Sequence, residues 1–410
     1  MALILLTFLM ILGTALLTSV TLDVAIGDNF RSETQLLYLA EAGIAEARSL
    51  LDSSSSTASQ FLQAAAGADG VLSGSRDLDA LLDSTDDVPL INGGDRSTAR
   101  LVTDPSGVQA GRYFVFLRND AADGTTSLTD SNQVLTLLSV AVTGSSRKVL
   151  EVTVMKWHFP KLPASLVLDG APVLFKPADL SSRISGIDTT ATGDDRRAIG
   201  VLTDSDRASV LSTIPDPTGF QYPGRGNPSP PPADVSVIDT LLDLRLRSPA
   251  GMESIVDRIV ESSSEKYSPG WSGSTIIGNA GTASDYRVIV VNGDCLLGTG
   301  AGFGILLVRG NLRVTGSFHW NGLILVIGQG SVASSGTVTG IITGGLFVMR
   351  TRADDRNPLN ESGTMLTAPG SVEVDFSGSG NSLQIENPGA AALELVNQKF
   401  PYIPIAIREY

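Results

Sequence analysis

MALILLTFLMILGTALLTSVTL, residues 1–22, carries no charged side chain; Asp23 is the first. Most of the stretch is Leu, Ile, Val, Ala, Met and Phe. An apolar run of about 18 residues or more is long enough to cross a bilayer as a helix. No loop closes this one. It passes through Asp23–Phe30 into Arg31–Leu51, where Leu36, Ala40, Gly43, Ile44, Ala47, Leu50 and Leu51 recur at helical spacing. A single helix over residues 1–52 would be about 78 Å long, far longer than a bilayer is thick, with one end amphipathic. Ser53-Ser54-Ser55-Ser56 stops the pattern. A cleaved secretory signal would carry basic residues ahead of a shorter apolar core, yet no Lys or Arg precedes Arg31. A plain membrane anchor accounts for the run but not for its helical continuation. A helix held first in a membrane and then buried in an assembly accounts for both.

The chain after this helix reads as strands. Residues 57–98 are small, polar and Gly/Asp-rich, with a weak helical pattern over Phe61–Ala66, and form a connector. Gly111–Leu117, Val134–Val142 and Lys148–Met155 are β-branched or aromatic runs. The last two are joined by Thr143-Gly144-Ser145-Ser146, a short hairpin turn. An isolated meander has no second apolar layer. The amphipathic half of the helix supplies one.

Met1-Ala2-Leu3-Ile4-Leu5-Leu6, the Thr/Gly-dotted run behind it and Leu39-Ala40-Glu41-Ala42-Gly43-Ile44 resemble the N-terminal segment of type IV pilin-like proteins of the PilX kind. The order helix, then meander, agrees with that family. The resemblance implies processing at Met1 by a prepilin peptidase, after a glycine that would precede it, leaving a methylated N-terminus. It also implies residence in the inner membrane before assembly. The subunit would then join copies of itself or other pilins in a helical filament on the surface of a prokaryotic cell. Leu5, Leu12, Gly13, Glu41 and Gly43 would lie on the polymerisation helix. One departure is Leu5: most pilins carry a glutamate there, and its absence resembles tip-located pseudopilins. Glu41, between Ala40 and Ala42, reads equally as a solvated helix acid or as a partnered one: it borders the face expected to pack on the meander, and a buried carboxylate there would need a partner. Gly13, Thr14, Thr18, Ser19, Thr21 and Gly27 imply an interruption of the helix between residues 13 and 29 in the packed filament, since glycine costs a helix interior about 1 kcal/mol relative to alanine.

Composition removes several functions. The net charge of −14 argues against a nucleic-acid surface, which needs clustered Lys and Arg. Cys295 is the single cysteine and sits in an apolar run, which makes it a buried small hydrophobe. With only His158 and His319 beside it, a His/Cys zinc site has almost no ligands to draw on. The loop Asn119–Asn132 contains Asp120, Asp123 and Asp130, which could cage calcium through oxygen ligands. A solvated acidic turn is favoured, because Asp and Asn are turn residues in their own right. No other cofactor is implied.

Residues 158–234 hold Pro160, Pro163 and a proline run, Pro228–Pro232, that reads as a semi-rigid spacer or surface loop. Val173–Phe175 and Ile184–Ile187 read as short strands, Asp204–Ile214 and Val235–Leu246 as helices. Ser248-Pro249 starts another helix. A repeat follows. Val290-Val291-Asn292-Gly293-Asp294, Leu307-Val308-Arg309-Gly310-Asn311 and Leu325-Val326-Ile327-Gly328-Gln329 echo one another, and Phe347-Val348-Met349 does so more loosely. Val291, Val308, Val326 and Val348 are 17, 18 and 22 residues apart. No segment between them is long enough for a crossover helix, which points to a parallel β-solenoid with one coil per copy. Gly-rich sandwich strands are the alternative. Ser371–Phe376 and Ser382–Ile385 would add a last coil. Gly298–Gly304 is glycine-rich, but a strand follows it where a nucleotide loop needs a helix.

The fold expected is α+β: a helix over 1–53, a pilin-like head over 54–158, a mixed connector over 159–270 and a β-solenoid-like domain over 271–410. The function expected is a structural filament subunit displaying the solenoid outward. The alternatives are a minor or tip pilin that primes assembly or mediates adhesion, and a membrane-anchored carbohydrate-binding β-helix. Catalysis is not expected, since the repeats offer only Asp285 and Asp294 as acids and fold alone carries no activity.

Overall fold

The computed structural model describes residues 2–410 apart from 55, 76–86, 94–97, 104–106, 108, 179–181, 191–193, 216–219, 226–232, 270–272, 358, 379, 390–396 and 398; of the first helix, the side chains at 2–6, 11 and 15 are also outside it. Met1 and the proline run therefore lie outside the described residues. The chain divides into two units, 1–157 with 401–410, and 158–400.

The first unit is a helix on an antiparallel sheet. α1, Ala2–Ser53, is unbroken. In this single chain, without neighbours, there is no interruption between residues 13 and 29. Thr14 and Thr34 hydroxyls each donate to the carbonyl four residues back, at 3.0 and 2.8 Å, a local bond that helices accommodate. α2, Ala58–Ala65, opens on a capping box between Thr57 and Gln60. β1 (Arg100–Thr103), β2 (Gln109–Asn119), β3 (Val134–Thr143) and β4 (Ser146–Lys156) follow in meander order. β19, Tyr402–Glu409, completes the sheet by pairing antiparallel with β4. The sheet thus has five strands where three were expected, and one comes from the last ten residues, which the sequence division placed with the solenoid-like domain. The return is anchored at Tyr402. Its N–H donates to Asp52 Oδ1 at 2.7 Å, and its carbonyl accepts from Arg48 Nε at 2.9 Å. Lys148 bridges Glu33 of α1 and Glu409 of β19.

The second unit is built on parallel ladders. It comprises β5 (Ala164–Asp169), β6 (Val173–Lys176), β7 (Arg183–Asp188), β8 (Arg197–Val201), α3 (Asp204–Thr213), β9 (Val235–Val237) and α4 (Pro249–Glu261). Then come β10 (Glu265–Tyr267), β11 (Ser274–Ile277), β12 (Arg287–Val291), β13 (Asp294–Leu297), β14 (Gly300–Val308), β15 (Leu312–Ile327), β16 (Ser331–Met349), β17 (Val372–Asp375) and β18 (Ser382–Asn387). Every ladder among these strands is parallel. The repeat sets the register: Val291 pairs with Val308, Val308 with Val326, and Val326 with Val348. The ladder then continues to Leu168, Val201 and Val237.

The stretch 159–270, expected as a connector, is therefore part of the same sheet. Val235–Leu246, expected as helix, is β9 followed by a turn and a short 3-10 segment, Leu244–Leu246. The glycines at 300, 302 and 304 lie within β14 itself. β17 and β18 are not the end of the stack. β16 pairs along its length with β17, β18 and β5, and those three pair onward with β6, β7 and β8. Strands from both ends of the unit thus lie side by side along β16.

The runs Ile305–Val308, Leu323–Ile327 and Leu346–Met349 are wholly buried, as parallel strands covered on both faces must be. Inside, Trp320 is fully buried and its Nε1 donates to the Gly304 carbonyl at 3.2 Å. α4 is capped by Ser248 with Pro249 at its first turn, and contributes Met252, Ile255, Val256 and Ile259 to the buried set.

Candidate functional site

The apolar half of α1 is an exposed surface among the described residues. Residues 1–22 would span about 33 Å as helix, close to the roughly 30 Å hydrocarbon core of a bilayer. Phe8, Met10, Leu17 and Phe30 are 62–72% exposed, and Leu12 is 48% exposed. A Cβ added at Gly13 would meet nothing within 4 Å. Leu5 lies within the helix span. Each such large side chain, if covered, contributes about 1.5–3 kcal/mol. A soluble monomer rarely leaves a contiguous patch of this size open.

The second half of α1 is spent on the head. Leu36, Leu39, Ala40, Ile44, Ala47 and Leu51 are buried in one cluster with Tyr113, Val115, Leu137 and Val152 of the sheet. Gly43 belongs to this inner face: a Cβ there would stand 2.6 Å from Ser139 Oγ and 3.0 Å from Tyr113 and Val115 side-chain carbons. Gly43 thus sets how closely helix and sheet approach. Gly43→Val is expected to cost about 1–3 kcal/mol through overpacking, read as a lower denaturation midpoint for the head. An unchanged midpoint would mean that the spacing is not set at this residue.

Glu41 points the other way. It is exposed, beside exposed Tyr38 and Ala42, so within this chain it does not border the packed face as the sequence suggested. Glu46, one turn beyond Gly43 and half-buried, is a partnered acid of the same helix. It accepts a hydrogen bond from the Tyr113 hydroxyl and lies 3.4 Å from Arg100. Burial, and then Glu46, push the Tyr113 hydroxyl up to about 12. The signal for Glu46 was its place on the stripe of Leu39 and Gly43, since residues three and four apart share a helix face.

The acidic loop does not gather its carboxylates. Asp120 Oδ1 accepts from Asn132 Nδ2 at 3.2 Å, Asp123 Oδ2 from the Ser131 N–H at 2.7 Å, and Asp130 Oδ2 from the Gln133 N–H at 3.1 Å. Each is used in hydrogen bonds within the loop and its end, Asp120 and Asp123 across it and Asp130 in a local turn. Among the described residues no group of three or more His, Cys, Asp or Glu is disposed to hold a metal. Burial pushes the Cys295 thiol up to about 12, far from the thiolate that reactivity needs.

No family model matches the sequence, and no curated protein matches it. Among solved structures, the chain is similar to the competence-associated pilin ComZ from Thermus thermophilus, with 13% identity over 92% of this chain and 97% of that one, and a TM-score of 0.24. At that TM-score the likeness carries no weight for fold or function.

Proposed function

We propose that this chain is a structural subunit of a type IV pilus-like surface filament. One observation carries the reading: a continuous helix whose apolar first half is exposed while its second half is built into a folded head. Such a helix is held first in the inner membrane, then buried against copies of itself or other pilins. The parallel-strand unit is a β-solenoid inserted between β4 and β19. Its ladder steps of 17, 18 and 22 residues are what one coil per repeat requires. The role is structural and not catalytic.

Leu12→Arg tests this. A charge at the centre of the run costs about 2.5–3.5 kcal/mol on insertion scales, so cells making only this variant are expected to yield no sheared filament. Filaments that still form would mean that the helix is only an anchor.

A minor or tip subunit is the second reading, favoured by Leu5 in place of the glutamate that the resembling family carries. Quantifying this chain in sheared surface material separates the two: a tip subunit is present in trace, a main subunit in bulk.

A further inference from the structure

Where β5 and β8 begin, the second unit contains an open cavity of about 500 Å³. Its chemistry is opposite to that of the molecule. The chain carries a net charge of −14, yet Lys161, Arg196, Arg197 and Arg225 line the cavity against two carboxylates, Asp194 and Asp195.

Those carboxylates are already committed. Asp194 holds Lys161 Nζ at 2.6 Å and Arg196 Nη2 at 3.1 Å. Asp195 Oδ1 accepts the Asp188 N–H at 2.9 Å. The cations are only partly neutralised in return, since Lys161 and Arg196 share the single Asp194 carboxylate. The Arg196 side chain is only 3% exposed, and its Nε and Nη1 have no acceptor among the described residues. An arginine cannot shed its proton to escape burial, and Asp194, shared with Lys161, offsets only one of the two positive charges. Arg197 Nη1 stands 3.9 Å from Asp234, beyond hydrogen-bond range. Arg225 is exposed and its guanidinium has no partner among the described residues; its backbone N–H donates to the Arg196 carbonyl at 2.6 Å, which fixes the two arginines side by side. Leu241, 57% exposed, and Pro163 supply an apolar wall.

We infer that this cavity binds a small carboxylate-bearing ligand of one or two rings, an acidic sugar by size and polarity. Arginine forks match carboxylate geometry. The apolar wall suits the C–H face of a ring, and the volume far exceeds what an inorganic anion fills.

The test is a calorimetric titration of the full chain, held in a polyoxyethylene detergent at low salt, with glucuronate, galacturonate, glucose and inorganic phosphate. Both uronates are expected to bind, glucose and phosphate far more weakly. Arg225→Ala is expected to lower uronate affinity about tenfold without moving the melting temperature, because Arg225 is exposed; Lys161→Ala should act in the same direction. The assignment is overturned if no uronate binds, if glucose or phosphate binds as tightly as glucuronate, or if both variants keep the parent affinity.

Discussion

Gly322→Ala is expected to leave the inserted unit unfolded. Gly304, Gly322 and Gly344 stand in register on consecutive strands, and Gly322 has φ of +133°. A Cβ at Gly322 would lie 2.0 Å from the Gly304 carbonyl oxygen, well inside contact distance, about 3.5 Å. The obstacle is backbone and cannot rotate away. Moving it would break the ladder that joins β14 to β15. The dihedral alone costs roughly 1–3 kcal/mol. Opening a ladder on top of that approaches the whole stability of a domain, about 5–15 kcal/mol. Gly336→Ala is the control: its φ is +73° but nothing lies within 4 Å of the added carbon, so only the dihedral cost applies. Limited proteolysis of the full chain reads both. If Gly322→Ala resists cleavage as well as Gly336→Ala, the close stacking at this column does not govern folding.

That column was not legible as such, although the ladder beside it was. The Val291, Val308, Val326 and Val348 series fixed strand positions and register because the core admits one small β-branched residue per turn of the repeat. The head strands were legible for a similar reason, being continuous β-branched runs bounded by turn residues. Partner choice was not legible. Nothing local in Tyr402–Glu409 says that it pairs with β4, more than 240 residues earlier in the chain, and nothing in Ala164–Asp169 says that its neighbour is β16. Such pairings are decided by which edges remain open once the rest has folded, a non-local condition. Val235–Leu246 was misread because its apolar spacing suits a helix, while its first residues complete an edge ladder on β8. On α1 the face was ambiguous for a different reason. Ala40 and Ala47 are buried whereas Ala42 and Ala45 are exposed, and alanine marks neither side. Glu41 and Glu46 could therefore not be told apart by composition, and only the stripe through Leu39 and Gly43 distinguishes them.

Glu253→Ala is expected to destabilise the inserted unit by about 3–5 kcal/mol, the cost of breaking a buried ion pair by removing one partner. Glu253 lies on α4 and is 6% exposed. Its Oε1 accepts from Thr351 Oγ1 at 2.8 Å and from Arg352 Nε at 2.9 Å; its Oε2 accepts from Arg352 Nη2 at 2.7 Å and Arg309 Nη2 at 3.1 Å. Arg309 follows β14, and Thr351 and Arg352 follow β16, so one carboxylate ties the helix to two separate positions of the parallel sheet. Removing it strands two guanidinium groups that cannot deprotonate. Burial by itself would raise this carboxyl, but Arg352, Thr351 and Arg309 together hold it below its ordinary value of 4.5. The sign of the pH dependence follows. A carboxyl whose folded value is depressed contributes stability that is complete above its unfolded value, and that contribution is lost as pH falls through the folded one. The gap between parent and Glu253→Ala should accordingly be widest near neutrality and narrow as the pH is taken below 4.5. Glu253→Gln keeps the shape and one acceptor oxygen but loses the charge, and should fall between the two near neutrality. Denaturant titrations at neutral and acid pH measure all three. A gap that stays the same across that range would mean that the charge on Glu253 does no work, and that α4 is held by Met252, Ile255, Val256 and Ile259 alone.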